Sequence, residues 1–139
     1  MSSRTFAMIK PDAVSRGLSG KIISRIETSG MKVVALRRIL MTPAQAQGFY
    51  IEHKDRPFYG SLTGYMSSGP CYIAVLEGDN AQVKWREIMG ATNPADAAEG
   101  TIRKEMAVDL EKNSVHGSDS AQSAAREVSY FFAEADIVS

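Results

Sequence analysis

The six residues Cys-Tyr-Ile-Ala-Val-Leu at positions 71–76 form the longest strand-like apolar run in the chain. A run without polar alternation is typical of a strand that is buried on both faces of a sheet. Gly69 and Pro70 precede the run and end the element before it. We therefore expect residues 71–76 to form the central strand of a sheet, around which the rest of the fold is arranged.

Outward from this run, hydrophobic periodicity and cap residues predict the other elements. The stretch 91–100 has no periodic pattern and is predicted to be a long loop, a kind of segment that is often functional. Residues 113–120 have the composition of turns. The predicted strands are 5–9, 32–41, 71–76 and 108–110, and the predicted helices are 19–29, one starting at Pro43, 57–68, 80–89, 101–107 and 121–132.

The resulting order is β-α-β-α-α-β-α-β-α, without repeats, linkers or low-complexity segments. Strands and helices alternate, but four strands are few for a doubly wound parallel sheet. We predict an α+β fold: a ferredoxin-like split β-α-β sandwich in which one four-stranded antiparallel sheet is covered by helices. At 139 residues the chain is expected to form a single domain spanning residues 1–139.

The formal net charge is zero, but the charge is unevenly distributed. Residues 1–40 carry eight basic and two acidic side chains, a net +6, so the remaining 99 residues carry −6. A basic first third is compatible with an element that faces nucleic acid or a membrane, and this possibility stays open at this point. A hydrophobic content of 44% with 23% charged residues is ordinary for globular proteins and excludes wholesale disorder.

Cysteine usage and hydropathy indicate the compartment. Cys71 is the single cysteine, so the chain forms no internal disulfide, which favours a reducing environment. The N-terminus lacks the apolar stretch of a signal peptide, and no apolar run approaches the ~20 residues needed to cross a bilayer. We expect a soluble, cytoplasmic protein with no membrane partner.

Several nucleotide-binding and catalytic motifs are absent from the sequence. Residues 17–22 read Gly-Leu-Ser-Gly-Lys-Ile, whereas a Walker A loop needs four residues between its glycines and Ser or Thr after its lysine. The chain contains neither the G-x-G-x-x-G of dinucleotide-binding proteins nor a G-x-S-x-G nucleophile elbow. One cysteine and two histidines cannot form a structural zinc site by themselves.

The two histidines limit the candidates for nucleophilic or acid–base catalysis. His53 continues an apolar stripe with Phe49 and Tyr50, so a packed core histidine is the favoured interpretation. His116 lies between a predicted strand and a predicted helix, where a neutral imidazole can act as nucleophile, base or ligand. By spacing alone, a turn at Gly117 followed by a helix cap explains this segment better than catalysis does.

The charged residues, each taken alone, do not distinguish a functional role from an ordinary surface position. Glu127 borders the apolar face of the last helix and, by itself, is expected to be solvated. Lys10, Arg56, Arg86 and Arg103 come from separate segments. If the fold gathers them, they would suit a polyphosphate, because guanidinium groups bind phosphate bidentately.

Taken together, these local patterns occur in an order that is much more specific than any one of them. They are Ile9-Lys10-Pro11-Asp12, Tyr50, Lys54-Asp55-Arg56-Pro57-Phe58, Ser68-Gly69-Pro70, Arg86, Gly90-Ala91-Thr92-Asn93-Pro94, Gly100-Thr101-Ile102-Arg103, Asn113, His116-Gly117-Ser118-Asp119-Ser120 and Glu127. Through these motifs the sequence resembles the nucleoside diphosphate kinase family over essentially its whole length. The departures are mild: Met106 stands where an aromatic residue is commoner, and Tyr59 where Phe is frequent.

The resemblance implies an Mg-dependent phosphotransferase with a ping-pong cycle. The γ-phosphate of a nucleoside triphosphate, typically ATP, would pass to a nucleoside diphosphate through a phosphohistidine on His116, with broad base and sugar tolerance. Glu127 and Ser118 would orient His116, and Tyr50 would fix Lys10. Mg²⁺ would be carried by the nucleotide phosphates, with Asp119 contacting it through water at most.

The resemblance also implies how the nucleotide is held. Stacking on an aromatic ring tolerates every base, which fits a broad substrate range. The residues implied are Lys10, Arg86, Thr92 and Arg103 for the phosphates with Arg56 in support, Lys10 and Asn113 for the sugar hydroxyls, and Phe58 with Leu62 and Leu110 for the base.

The resemblance further implies a homo-oligomer, because stretch 91–100 matches a family loop that packs between subunits. A tetramer is favoured, and a hexamer or dimer stays open because the chain is shorter at its end than many relatives. One alternative is a ferredoxin-like nucleic-acid-binding module, but the zero net charge and the missing RNP1-type aromatic run oppose it. The other is a catalytically silent homologue, which the complete motif set opposes. No dedicated nucleic-acid partner is expected.

Overall fold

The computed structural model describes residues 2–139, and these residues contain one four-stranded antiparallel sheet. The strands occur in the spatial order β2-β3-β1-β4, so β1 and β3 are central and β2 and β4 are edges. Their bounds are Ser2–Ile9 for β1, Lys32–Ile39 for β2, Cys71–Asp79 for β3 and Val115–Gly117 for β4.

The apolar run 71–76 lies in β3, and its side chains alternate between two covered faces. Ala74 and Leu76 belong to one core cluster, whereas Ile73 and Val75 belong to the other. Since helices cover both faces, neither face requires polar residues, and the strand has no polar alternation. The expectation that residues 71–76 form a central strand is confirmed.

Seven α-helices form the two layers around the sheet in the part of the chain that the structure describes. Helices α1, α2, α5 and α6 contribute to the core on one face, and α3, α4 and α7 to the core on the other. Short 3-10 turns occupy Ile51–His53, Pro94–Asp96 and Glu134–Asp136. The helices are α1 Pro11–Ser15, α2 Ser19–Thr28, α3 Pro43–Phe49, α4 Tyr59–Met66, α5 Ala81–Met89, α6 Ile102–Met106 and α7 Ala121–Phe131.

The topology consists of two interlocked split β-α-β units. β1 and β2 are parallel with β3 between them, and β3 and β4 are parallel with β1 between them. This is the arrangement of a ferredoxin-like sandwich, so the predicted fold class is confirmed. No helix within residues 2–139 is long and apolar enough to cross a membrane.

Two local expectations are wrong, and one short helix was not predicted. The last strand is Val115–Gly117 rather than residues 108–110, whose backbone instead turns back so that the Val108 N–H donates to the Lys112 carbonyl at 2.8 Å. The helix that starts at Pro43 ends at Phe49, so His53 lies in a separate 3-10 turn and is not part of the helical stripe. The short helix α1 follows Lys10 directly and was not expected.

Gly117 provides a test of how tightly β4 packs on the helical layer. A Cβ atom added there would lie 2.6 Å from Trp85 Cδ1 and 2.5 Å from Met89 Cε. Because Trp85 is fully buried and cannot move aside, we expect Gly117→Ala to lower the free energy of unfolding by about 1–3 kcal/mol, measured by urea denaturation.

Gly64 is the matched control for this substitution. It lies inside α4, and an added Cβ would meet no atom within 4 Å. We expect Gly64→Ala to stabilise the protein by about 0.5–1 kcal/mol, because alanine loses less backbone entropy in a helix than glycine does. Equal effects of the two substitutions would contradict the proposed close contact at Gly117.

Candidate active site

His116 lies on β4, opposite Met8 of β1, on the sheet face that α3, α4 and α7 cover. Its imidazole packs edge-on against Phe49 and Tyr50, with ring centroids 5.4 and 5.9 Å away. About 20% of the side chain is exposed. The ring is therefore held by neighbouring aromatic rings while one edge stays accessible.

Glu127 on α7 determines the orientation and tautomer of this imidazole. Its Oε1 lies 2.7 Å from His116 Nε2 and also accepts a hydrogen bond of 3.0 Å from Ser118 Oγ. A carboxylate accepts hydrogen bonds, so Nε2 carries the proton and Nδ1 presents its lone pair. Glu127 is buried, which contradicts the expectation, made from this residue alone, that it is solvated.

Side chains from two helices fix the backbone of the β4 segment. Trp85 Nε1 donates to the His116 carbonyl at 3.1 Å, Arg103 Nη2 donates to the Val115 carbonyl at 2.9 Å, and Gln82 Nε2 donates to the Ser118 carbonyl at 2.9 Å. Sequence reasoning did not identify Gln82 or Trp85. The one available signal was that a buried tryptophan generally needs an acceptor for its indole N–H.

The accessible edge of His116 faces a cavity of about 220 Å³, here called the cationic cavity. Lys10 and Arg103, which line it, are only 6% and 7% exposed. Burial, and then repulsion from Arg103, lowers the pKa of Lys10 to about 8. Burial, and then repulsion from Arg86, lowers the pKa of Arg103 to about 10. Burying positive charges close together costs free energy, so this arrangement favours the binding of an anionic ligand. The cavity is lined by Lys10, Arg86, Thr92, Arg103, Asn113 and His116, among others.

Buried polar atoms without a partner also point to a ligand. Within residues 2–139, four buried side-chain atoms make no hydrogen bond, and three of them belong to residues lining the cationic cavity. These three are Tyr50 Oη, Arg103 Nε and Asn113 Oδ1. Since buried polar atoms are nearly always paired, their clustering indicates that polar groups of a ligand complete the site.

A second cavity of about 420 Å³, here called the apolar cavity, adjoins the first. Phe58, Leu62 and Leu110 line it, and Phe58 is 46% exposed. Lys10, Tyr50, Thr92 and Asn113 line both cavities, so the two form one continuous groove. An aromatic, apolar slot joined to a cationic cavity has the shape and chemistry of a nucleotide.

Some predicted contacts are not present in the structure. Arg56 is exposed and lines neither cavity, and Lys10 Nζ donates to the Glu111 carbonyl at 3.3 Å rather than to Tyr50. Asp119 forms an ion pair with Arg86 at 2.8 Å. The roles implied for Arg56, Tyr50 and Asp119 stay predictions. His53 is half-buried and lines the cationic cavity instead of lying in the core.

Fold and site together define a class of protein, a phosphotransferase that acts on nucleotides. A family model described as nucleoside diphosphate kinase matches residues 3–137. This chain belongs to the nucleoside diphosphate kinase family.

Individual relatives agree with this assignment in sequence and in structure. The nucleoside diphosphate kinase of Nitratidesulfovibrio vulgaris (strain DP4) is 60% identical over 138 residues, 99% of each chain. That of Methylobacterium sp. (strain 4-46) is 61% identical over 135 residues, 97% of this chain and 96% of the relative. The Aquifex aeolicus enzyme structure has a TM-score of 0.97 at 40% identity, covering 99% of this chain and all of the other. The Halobacterium salinarum enzyme, solved with CDP, has a TM-score of 0.96 at 40% identity, covering all of this chain and 93% of the other.

The lowered pKa of Lys10 predicts a pH dependence of nucleotide binding. A charged amine binds phosphate more strongly than a neutral one does, so above the Lys10 pKa of about 8 the free protein is expected to take up a proton on binding. We expect the Kd for ADP, measured by calorimetry, to rise between pH 7.5 and 9.5 by up to about tenfold per pH unit.

Lys10→Met tests whether this dependence comes from Lys10. The variant should bind ADP more weakly at pH 7.5, and its affinity should change little up to pH 9, because burial lowers the pKa of Arg103 only to about 10. The same steep loss of affinity in Lys10→Met would show that another group titrates.

Proposed function

We propose that this chain is a nucleoside diphosphate kinase in which His116 carries the phosphoryl group between two nucleotides. The observation that carries the proposal is the His116–Glu127 pair, whose Nε2–Oε1 distance is 2.7 Å, beside a cavity lined by buried cations. With Nε2 hydrogen-bonded, Nδ1 is the ring atom whose lone pair is free to attack.

The first half-reaction forms a bond from Nδ1 to the γ-phosphorus of a nucleoside triphosphate. The bond between that phosphorus and the bridging oxygen breaks, and the nucleoside diphosphate leaves with the electron pair of the broken bond. As Nδ1 is phosphorylated, positive charge develops on the ring, and the Glu127 carboxylate stabilises it through the Nε2 proton. The second half-reaction reverses these steps, with an acceptor diphosphate supplying the attacking oxygen.

The phosphates would lie in the cationic cavity against Lys10, Arg86 and Arg103, with Thr92 donating a further hydrogen bond. These groups neutralise the charge of the transferred phosphoryl group, which is the main catalytic need of phosphoryl transfer. Asn113 and Lys10 would contact the sugar hydroxyls, since both line the junction of the two cavities.

The base would stack on Phe58 in the apolar cavity, between Leu62 and Leu110. Stacking and apolar contacts do not read the hydrogen-bonding edge of a base, which supports broad base tolerance. The Halobacterium salinarum relative was solved with CDP, which supports a nucleoside diphosphate as ligand of this groove.

Magnesium fits this site only as a partner of the nucleotide. Within residues 2–139 no group of three or more His, Cys, Asp or Glu side chains could hold a metal ion. Asp119 is the one carboxylate among the described residues that line the cationic cavity, and it is paired with Arg86. Bound to the phosphates, Mg²⁺ would neutralise charge on their oxygens, with Asp119 contacting it through water at most.

A homo-oligomer and a cytoplasmic location belong to the same proposal. β2 is an edge strand, and both Leu36 on it and Leu40 just after it are exposed, which supports a contact with another copy of the chain. Stretch 91–100 is mostly exposed and matches the family loop that packs between subunits. The single cysteine, Cys71, is buried and unpaired, as is usual for proteins of reducing compartments.

Brief incubation with ATP and Mg²⁺, followed by intact mass measurement, tests the proposed function. We expect the protein to gain the mass of one phosphoryl group, because the phosphoramidate accumulates while ATP is in large excess over the ADP that the half-reaction releases. The adduct should be acid-labile and should disappear when GDP is added.

His116→Ala is the control and should show no adduct. An unmodified wild-type protein would contradict the kinase assignment. Salt-sensitive RNA binding without an adduct would favour a nucleic-acid-binding module instead.

Phe58→Ala tests the proposed base slot. Loss of stacking should raise KM by roughly 5- to 100-fold for purine and pyrimidine diphosphates alike, in a coupled steady-state assay. Val83→Ala is the matched control, because Val83 is also an exposed apolar side chain but lines neither cavity. If Phe58→Ala raised KM for the diphosphate of one base alone, stacking would not be the basis of broad base tolerance.

A further inference from the structure

Asp12 lies just behind the groove and does not line either of its cavities. It is only 8% exposed, and its carboxylate is contacted by three side chains, two of which come from other segments. Tyr65 Oη donates to Oδ1, Arg16 Nη2 lies 3.2 Å from Oδ2, and Ser114 Oγ donates to Oδ2 at 3.3 Å. The backbone N–H of Asp12 also donates to Tyr65 Oη at 2.9 Å.

Ser114, one of these donors, has an unusual backbone conformation. Its φ is +72°, in the left-handed region that serine seldom occupies. Such conformations persist only where surrounding contacts hold them in place. Ser114 is fully buried, and its hydroxyl is held by Asp12, with Arg16 Nη2 3.4 Å away.

The Asp12–Ser114 contact joins the two sides of the reaction site. The Lys10 N–H donates to the Ser114 carbonyl at 2.9 Å, two residues before Asp12. The next residue after Ser114 begins β4, which carries His116. Lys10 would hold phosphate and His116 would attack it, so the conformation of Ser114 sets where the two groups lie relative to each other.

We propose that Asp12 is a positioning residue that, through Ser114, fixes the nucleophile His116 relative to the phosphate-binding Lys10. This inference rests on the proposed kinase function. It assigns to Asp12 and Ser114 an effect on the transfer step rather than on nucleotide affinity. Asn113, next to Ser114, is anchored independently, because its Nδ2 donates to the Thr92 and Leu110 carbonyls at 3.1 and 3.0 Å.

Single-turnover kinetics with calorimetry separates these effects. The rate of His116 phosphorylation would be followed by rapid quench at saturating ATP with Mg²⁺, and ADP affinity and melting temperature would be measured on the same preparations. Ser114→Ala removes the hydroxyl, whereas Ser114→Gly removes it and also relieves the backbone strain. Asp12→Asn removes the charge of the carboxylate.

We expect each of these three variants to slow phosphorylation by about 10- to 100-fold, as small misplacements of reacting groups do, with the Kd for ADP within about twofold of wild type. The double variant Asp12→Asn with Ser114→Ala should be no slower than the slower single variant, because both act through one contact. Should Asp12→Asn fail to fold, the two Ser114 variants still carry the test.

Glu77→Gln is the matched control, since it removes an ion pair with Arg4 at 3.0 Å on the sheet, away from both cavities. It should leave the phosphorylation rate unchanged even if the melting temperature falls. Wild-type rates in Ser114→Ala, or slowing that matches Glu77→Gln at equal loss of stability, would overturn the positioning role. Absence of phosphorylation in the wild-type protein would instead refute the kinase function itself.

Discussion

The antiparallel pairing of β1 with β3, in a register that places Ile9 opposite Tyr72 and Phe6 opposite Val75, is the constraint on which the other elements depend. Both strands are central and covered on both faces, so a slip of one residue would exchange their two sets of core side chains. The register fixes where β1 ends, and therefore where Lys10 enters the site. It also fixes the position of β4, because β4 pairs with the C-terminal end of β1, residues 7–9.

Charge is gathered at the site by folding and not by position in the sequence. Arg86 and Arg103 come from the part of the chain with net charge −6, whereas most basic residues of the first forty contact the protein elsewhere. Arg4 pairs with Glu77, Arg25 with Glu105, and Arg37 donates to the Phe131 carbonyl. Part of the positive charge of the N-terminal third is thus paired with carboxylates inside the molecule, and among residues 2–40 only Lys10 lines the two cavities.

The fold could be predicted from the sequence where an apolar or periodic pattern extends over many residues. Residues 71–76 and α7 follow from their apolar patterns, and α3 starts at Pro43 as expected. β4 could not be predicted, because its three residues are too few to show a periodic pattern and turn-forming residues follow them. They form a strand only because they pair with β1. Helix α1 has only five residues, and tertiary hydrogen bonds of Asp12 hold it.

Less of the site could be predicted from the residues alone. From local patterns alone, the role of His116 was undecided and Glu127 was wrongly expected to be solvated. The reason is that their pairing joins a strand and a helix and depends on how the two pack. The bonds from Gln82 and Trp85 to the carbonyls of the β4 segment depend on how α5 packs, which no local pattern encodes. The same holds for Arg103, whose burial follows from the packing of α6 against β4.

The position of the three-residue strand β4 has a consequence for folding during synthesis on the ribosome. It adds to the sheet beside β1, whose residues are synthesised about a hundred positions earlier, and Glu127 follows later still. An N-terminal portion that folds around β1, β2 and β3 therefore contains neither His116 nor Glu127. The pairing of His116 with Glu127 can consequently form only after Glu127 has been synthesised.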